Sequence, residues 1–299
     1  MPLAESKPEN KSYPFRQYIL DIRNQKITIG PEPWLAGIIN VTPDSFSDGG
    51  QYFEPGRAVE RALGLVEQGA RIIDIGGESS RPGSKGIPAE EELARVIPVI
   101  KKLRPQTAAL ISIDTRKSLV ARAALDEGAD LINDISALGH DPEMATVAAA
   151  AGVPVILMHM LGSPETMQLN PRYDDLLGEI RAFFLERISR AEAAGIAPDR
   201  LVLDPGIGFG KTLEHNLTLI NRLDYFLDLG KPLMVGPSRK SFIGFILEAP
   251  VDQRLEGTLA AAIISWLRGA AIIRVHDLLE TKKALQVVQS IVKEERVVV

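Results

Sequence analysis

Six short apolar runs in this chain end on a side chain that can hydrogen-bond or carry charge: Asn40, Asp114, Asn133, His159, Asp204 and Arg274. These are the residue types that hold a small polar molecule. Carboxylates accept from ring N–H and amino groups, an asparagine offers both donor and acceptor, and a guanidinium grips an anion or lies on a flat ring. Several apolar runs also open into segments that look unlike ordinary connections. NVTPDSFSDGG (40–50) is polar and bendable, and GGESSRPG (76–83) presents Ser79, Ser80, Arg81 and Pro82. DPGIGFGKT (204–212), GPSRKSFIG (236–244) and RVHD (274–277) complete the set.

The spacing within these segments excludes some chemistry. A phosphate-binding Walker loop needs glycine where Pro205 stands, and a dinucleotide fingerprint needs glycine where Lys211 stands. What remains in GIGFGKT is Asp204 followed by glycines that let backbone approach a flat ligand. Phe209 either lies against that ligand or packs its own loop. Arg239 and Lys240 have the usual composition of a solvated loop, yet they precede SFIGFI, a plausible helix start. Arg274 and His276 fall two apart, hence on one side of an extended chain, and together can hold a phosphate. No HExxH or CxxC metal motif is present. A hard ion such as Mg²⁺ needs only one or two protein oxygens beside substrate phosphates, and Asn40 with Asp48 can supply them.

The elements that must position these groups repeat. Strands are expected at 35–39, 71–75, 110–114, 130–134, 154–159, 201–204, 232–236 and 271–275, each followed by a segment with apolar residues three and four apart, such as AVERALGLVEQ or EELARVIPVIKKL. Six helical segments run into a glycine just before the next strand, at Gly69, Gly128, Gly152, Gly195, Gly230 and Gly269, as helix ends do. Three units share wording: GARIID, GADLIND and GAAIIR place Asp74, Asn133 and Arg274 at the same point. An eightfold βα repeat of about 30 residues predicts an α/β protein, a (β/α)₈ TIM barrel, rather than a doubly wound sheet. In that fold chemistry is built at the C-terminal strand ends, where these polar residues sit. The loops after the seventh and eighth strands are its habitual phosphate corner. The competing reading of any one such residue is a helix cap.

Residues 1–30 are expected to form an N-terminal arm, with YILDIRNQKITIG as a short hairpin against the barrel bottom, and 31–299 to form the barrel. A net charge of −5 with scattered Lys and Arg gives no footprint for nucleic acid. The absence of cysteine fits a reducing cytosol, and a cytoplasmic location is the expectation. The first 18 residues lack a signal-peptide core, and Arg268 interrupts the most apolar late stretch, so no membrane segment is expected.

NVTPDSFSDGG, GGESSRPG, DPGIGFGK, GPSRKSFIG and RVHD, in this order at these strand ends, resemble the dihydropteroate synthase family over roughly residues 32–285. The resemblance implies a Mg²⁺-dependent homodimer, a target of sulfonamides, that joins 6-hydroxymethyl-7,8-dihydropterin diphosphate to 4-aminobenzoate and releases diphosphate. It carries over the pterin pocket onto Asp114, Asn133, Asp204 and Lys240, and it has Arg274 stack on the pterin and reach the diphosphate with His276. Asn40 matches the metal ligand, while Phe46, Ser80, Pro82 and Ser241 fall in loops around the aminobenzoate. Residues 41–50 would then be a mobile lid over both substrates. Ser80 departs from the family's usual threonine, which keeps the hydroxyl and loses a methyl contact. Two other readings share the pterin contacts: a methyltransferase moving a methyl group from a folate to a corrinoid, and a non-catalytic pterin-binding paralogue. The first has no use for Arg274, His276 and the 40–50 segment, and the second is disfavoured by an intact motif set.

Overall fold

A computed structural model describes residues 14–42 and 55–297. Two short strands come first, β1 (Tyr18–Ile22) and β2 (Gln25–Ile29), paired antiparallel. Arg23 and Asn24 turn the chain between them with φ of 50° and 65°, the left-handed pair whose twist matches a two-residue hairpin. Eight further strands close into one barrel. They are β3 (Trp34–Asn40), β4 (Ile72–Gly76), β5 (Leu110–Asp114), β6 (Leu131–Asp134), β7 (Val155–Met158), β8 (Leu201–Asp204), β9 (Leu233–Val235) and β10 (Ala270–Val275). All neighbours are parallel, and β10 pairs with β3 to complete the ring.

Nine α-helices accompany the strands among the described residues. They are α1 (Pro55–Glu67), α2 (Ala89–Leu103), α3 (Ser118–Asp126), α4 (Met144–Ala151), α5 (Leu176–Ala193), α6 (Leu213–Asn221), α7 (Ser241–Leu247), α8 (Leu255–Leu267) and α9 (Leu278–Lys293). The extra one is α7, which the SFIGFI segment forms. It stops where Glu248 turns left-handed and Pro250 follows, a residue that cannot continue a helix. In α1 the buried Ala58, Val59, Ala62 and Leu65 recur at helical spacing, so one face turns to the sheet. The six glycines before strands all take positive φ, between 63° and 105°.

Alternation along each strand sorts its side chains. Leu35, Ile39, Ile73, Ile75, Ile111 and Ile113 join the helices in the outer core, where each fully buried isoleucine contributes roughly 1.5–3 kcal/mol. Ala36, Ile72, Leu131, Ile156, Val202, Met234 and Ile272 point inward and meet Tyr18, Leu20, Ile22 and Ile29 of the hairpin. The hairpin therefore plugs the bottom of the barrel. Two residues further along, on the same inward side, stand Asp74, Asn133, Met158, Asp204, Gly236 and Arg274. One periodicity thus makes an apolar floor and a polar layer above it.

Candidate active site

The polar layer opens into a cavity at the C-terminal end of the barrel. Ser80, Asp114, Asn133, Asp204, Lys240 and Arg274 line it together with Ile135, Met158, Ile207, Phe209 and Met234. Apolar walls with convergent donors and acceptors suit a flat, polar heterocycle. Arg274 spans two carboxylates, donating from Nε to Asp74 Oδ2 at 2.6 Å and from NH2 to Asp114 Oδ2 at 2.9 Å. Asp74 Oδ2 also accepts from Asn133 Nδ2 at 3.0 Å. Parallel register makes this possible, because Asp114 lies beside Asn133 and Gly76 beside Asp114 on neighbouring strands.

The loop after β8 is held from several sides. Gly206 N–H donates to Asp204 Oδ1 at 2.7 Å, and Gly208 N–H donates to Asn216 Oδ1 at 2.6 Å. Gly206 has φ of +68°, and a Cβ there would lie 2.0 Å from the His159 carbonyl oxygen, so no other residue fits. Lys211 turns inward and donates to the carbonyls of Phe209 at 2.9 Å and His159 at 3.3 Å, 3.0 Å from His159 Nδ1. It fastens its own loop. Phe209 packs with Met158 and Met167, as the loop-packing reading expects, and it also lines the cavity, where its ring carries the Lys240 ammonium 4.0 Å from the centroid.

Burial sets the charges here. It pushes Asp114 up to about 7, with the Asp74 carboxylate adding to the shift and Arg274 opposing it. It pushes Asp204 up to about 6 against the Gly206 N–H and the Lys240 and Arg274 cations. Lys240 falls to about 8, through burial and then the nearby Arg274. Burial, with Arg274 and Arg239 nearby, lowers His276 to about 3, so its imidazole is neutral near pH 7. Two carboxylates, a softened ammonium and a fixed guanidinium thus face one cavity. That set can read ring N–H and amino hydrogens, serve oxo acceptors and offset positive charge on a bound ring.

Other expected residues stand around this cavity rather than on its wall. His276 lies at the end of β10, with Nδ1 3.0 Å from Ser238 Oγ, which also accepts from the His276 backbone N–H at 3.2 Å. Ser241 is exposed at the start of α7, Pro82 is exposed in the loop after β4, and Asn40 ends β3 at the same rim. Phe46, Asp48 and most of the expected lid lie outside the described residues. His159 is a strand-end residue that does not join the site. It packs edge-on against Phe183 at 4.8 Å and meets Lys211. Arg239 pairs with Asp277, its Nε 3.0 Å from Oδ2, so the RK pair divides between a rim tie and the cavity. The residue that site reasoning left out is Asp74, which grips both Arg274 and Asn133. The shared wording of GARIID, GADLIND and GAAIIR was its signal, since those three residues form one hydrogen-bonded group.

Fold and cavity together define a (β/α)₈ barrel enzyme, and the comparisons with known proteins place it. Residues 36–276 match the family model described as pterin binding enzyme. Dihydropteroate synthase of Escherichia coli (strain K12) is 50% identical over 258 residues, covering 86% of this chain and 91% of that protein. A Xanthomonas albilineans dihydropteroate synthase solved with 4-aminobenzoic acid superposes with a TM-score of 0.86 at 45% identity, over 92% of this chain and 98% of that one. The same organism's enzyme in complex with 7,8-dihydropteroate gives 0.82 at 44% identity, over 91% and 98%. The chain belongs to the pterin-binding enzyme family and, within it, to the dihydropteroate synthases.

Proposed function

We propose that this chain joins 6-hydroxymethyl-7,8-dihydropterin diphosphate to 4-aminobenzoate, forming 7,8-dihydropteroate and releasing diphosphate. The observation that carries the reading is the convergence of Asp114, Asn133, Asp204, Lys240 and Arg274 on one cavity above the barrel floor. Asp204, with Oδ1 on Gly206 N–H, turns its remaining acceptor capacity to the pterin's amino group and ring N–H. Lys240, poised over Phe209, donates to the oxo and N5 acceptors.

The C–O bond between the pterin methylene and diphosphate breaks and its electron pair leaves with diphosphate. The amine nitrogen then forms the new C–N bond and gives up a proton to solvent. Asp114 and Asp204 offset the positive charge spread into the ring, while Arg274 and His276 face the departing anion. Neither carboxylate need be a nucleophile in this scheme, and the weakly basic aryl amine needs no strong protein base to attack a cation.

A metal fits this scheme through few protein ligands. Among the described residues no three His, Cys, Asp or Glu side chains gather to hold an ion, and Asn40 brings one amide oxygen to the rim. Asn40 and Asp48, the latter outside the described residues, would hold Mg²⁺ together with the substrate's own phosphates. When bound, Mg²⁺ neutralises charge on the departing diphosphate. Ser80, Pro82 and Ser241 would flank the aryl amine, and Phe46, which lies outside the described residues, is assigned to the same site by the family resemblance. Exposed Phe245, Ile246, Leu247 and Val251 in and after α7, with Ile264 of α8, support a homodimer through that side. A cytoplasmic setting is part of the proposal, since the absence of cysteine suits a reducing compartment.

The test is direct: incubate the purified chain with both substrates and Mg²⁺ and measure released diphosphate and dihydropteroate. Product formation that needs both substrates supports the reading. Pterin binding without diphosphate release would identify a non-catalytic pterin protein instead.

A further inference from the structure

A second charged cluster lies beside the cavity, between the loops that follow β4 and β5. Glu78 Oε2 accepts from Lys117 Nζ at 2.6 Å and from Ile87 N–H at 3.0 Å, while Oε1 accepts from Arg116 at 2.5 Å. Lys117 Nζ also reaches Glu92 Oε2 at 2.5 Å, and Glu92 is wholly buried in the first turn of α2. The Glu78 side chain is 11% exposed, Arg116 12% and Lys117 16%, so solvent screens this network weakly. Burial works against ionisation of Glu78, but Lys117, the Ile87 N–H and Arg116 hold its carboxyl down at about 2.

The geometry is that of a clamp. One carboxylate ties residue 78 to residue 87, the two ends of the loop that carries Ser80 and Pro82. It also ties that loop to Arg116 and Lys117, two and three residues past Asp114 at the end of the next strand. Inside the loop, Ser84 Oγ donates to the Ser79 carbonyl at 2.6 Å, and Gly83 N–H donates to the Pro164 carbonyl at 2.9 Å. Ser80 is the member of this loop that lines the cavity. Ser84 N–H also donates to the Arg81 carbonyl at 3.0 Å, but Arg81, Pro82, Gly83, Lys85 and Gly86 are exposed.

We infer that Glu78 is a positioning residue for the second substrate: its clamp on Ile87, Arg116 and Lys117 sets the 78–87 loop so that Ser80 and Pro82 form one wall of the aryl amine site. This rests on the reading that the chain condenses a pterin diphosphate with 4-aminobenzoate. Glu78 touches neither substrate. It acts by removing conformational freedom from a loop that would otherwise have to be ordered when the amine binds, so its loss should raise the apparent KM of the amine and leave the preformed pterin pocket alone.

The experiment uses the full chain and measures three quantities for wild type and Glu78→Gln: KM for 4-aminobenzoate, kcat, and the Kd of the pterin alcohol by calorimetry. Glu78→Gln keeps shape while halving the acceptor capacity for two cations. The expected result is a KM for the amine raised about tenfold with the alcohol Kd within about twofold of wild type. Arg116→Gln, which leaves Lys117 on the clamp, should give a smaller rise in the same KM, and it decides the question if Glu78→Gln fails to fold. An unchanged KM, or equal weakening of both ligands, would overturn the proposal, the latter because it marks a general scaffold effect. Wild-type protein that neither binds the alcohol nor releases diphosphate would instead refute the reaction itself.

Discussion

Replacing Asp204 by asparagine tests the pterin reading at its most constrained point. Asp204 is 4% exposed, and its Oδ1 receives the Gly206 N–H at 2.7 Å. In Asp204→Asn the amide oxygen stays on that N–H, which leaves the NH₂ group where Oδ2 faced the cavity. A donor then opposes the pterin's donor edge. Flipping the amide only moves the conflict, because NH₂ would then face the Gly206 N–H. The loop cannot retreat to relieve it, since Gly206 already packs against the His159 carbonyl as closely as a glycine allows and Lys211 pins the backbone beyond. Either orientation leaves one buried polar group mismatched, a cost of roughly 1–3 kcal/mol, or about a 5- to 150-fold loss of affinity. Calorimetry of the pterin alcohol on the folded mutant measures it, with a melting curve to show that the fold survives. Turnover should fall further than affinity, because the mutation also removes a negative charge that offsets the cation formed as diphosphate leaves. An unchanged Kd for the alcohol would refute the assignment of Asp204 to the donor edge.

Other perturbations separate the remaining roles. Because Asp114 and Asp204 hold protons up to about 7 and about 6, the ionised forms that face the ligand are lost on acidification far above the ordinary carboxylate range. A profile of kcat/KM against pH should therefore fall as pH drops through 7 to 6 rather than near 4; a flat profile down to pH 5 would rule this out. His276→Ala should lower diphosphate release more than it weakens alcohol binding, whereas Arg274→Ala, which frees both Asp74 and Asp114, should harm both measurements. Normal turnover in the His276 mutant would remove it from the leaving-group side. Gly206→Ala should destabilise the fold by roughly 2 kcal/mol or more in denaturant titration, since it combines left-handed strain with a Cβ forced onto a carbonyl oxygen.

The sequence by itself determined the barrel and the rim. Strand-length apolar runs separated by helical patterns left little freedom, and the observed strands fall within about a residue of those expected because period-2 and period-3.6 burial are local properties of the chain. The same local rule placed Asp114, Asn133, Asp204 and Arg274 inward, since each shares parity with an apolar floor residue of its own strand. Tertiary structure decided which strand-end side chains met. Asp74 became the anchor of Arg274 only because the ring closes, β10 pairing with β3, and brings together residues 200 apart in sequence. His159 is an exception, since it stands one residue past the inward-facing Met158 and so on the outward side of its own strand, against Phe183 and Lys211. Lys211 and Lys240, indistinguishable by composition, split into a loop fastener and a cavity cation. The Glu78 clamp likewise joins three segments whose charges, read along the chain, look like solvated surface. The physical reason is common to the other three cases: a strand's alternation fixes which side a residue faces, but the partner it finds there depends on distances across the barrel and between its loops, which no single segment encodes.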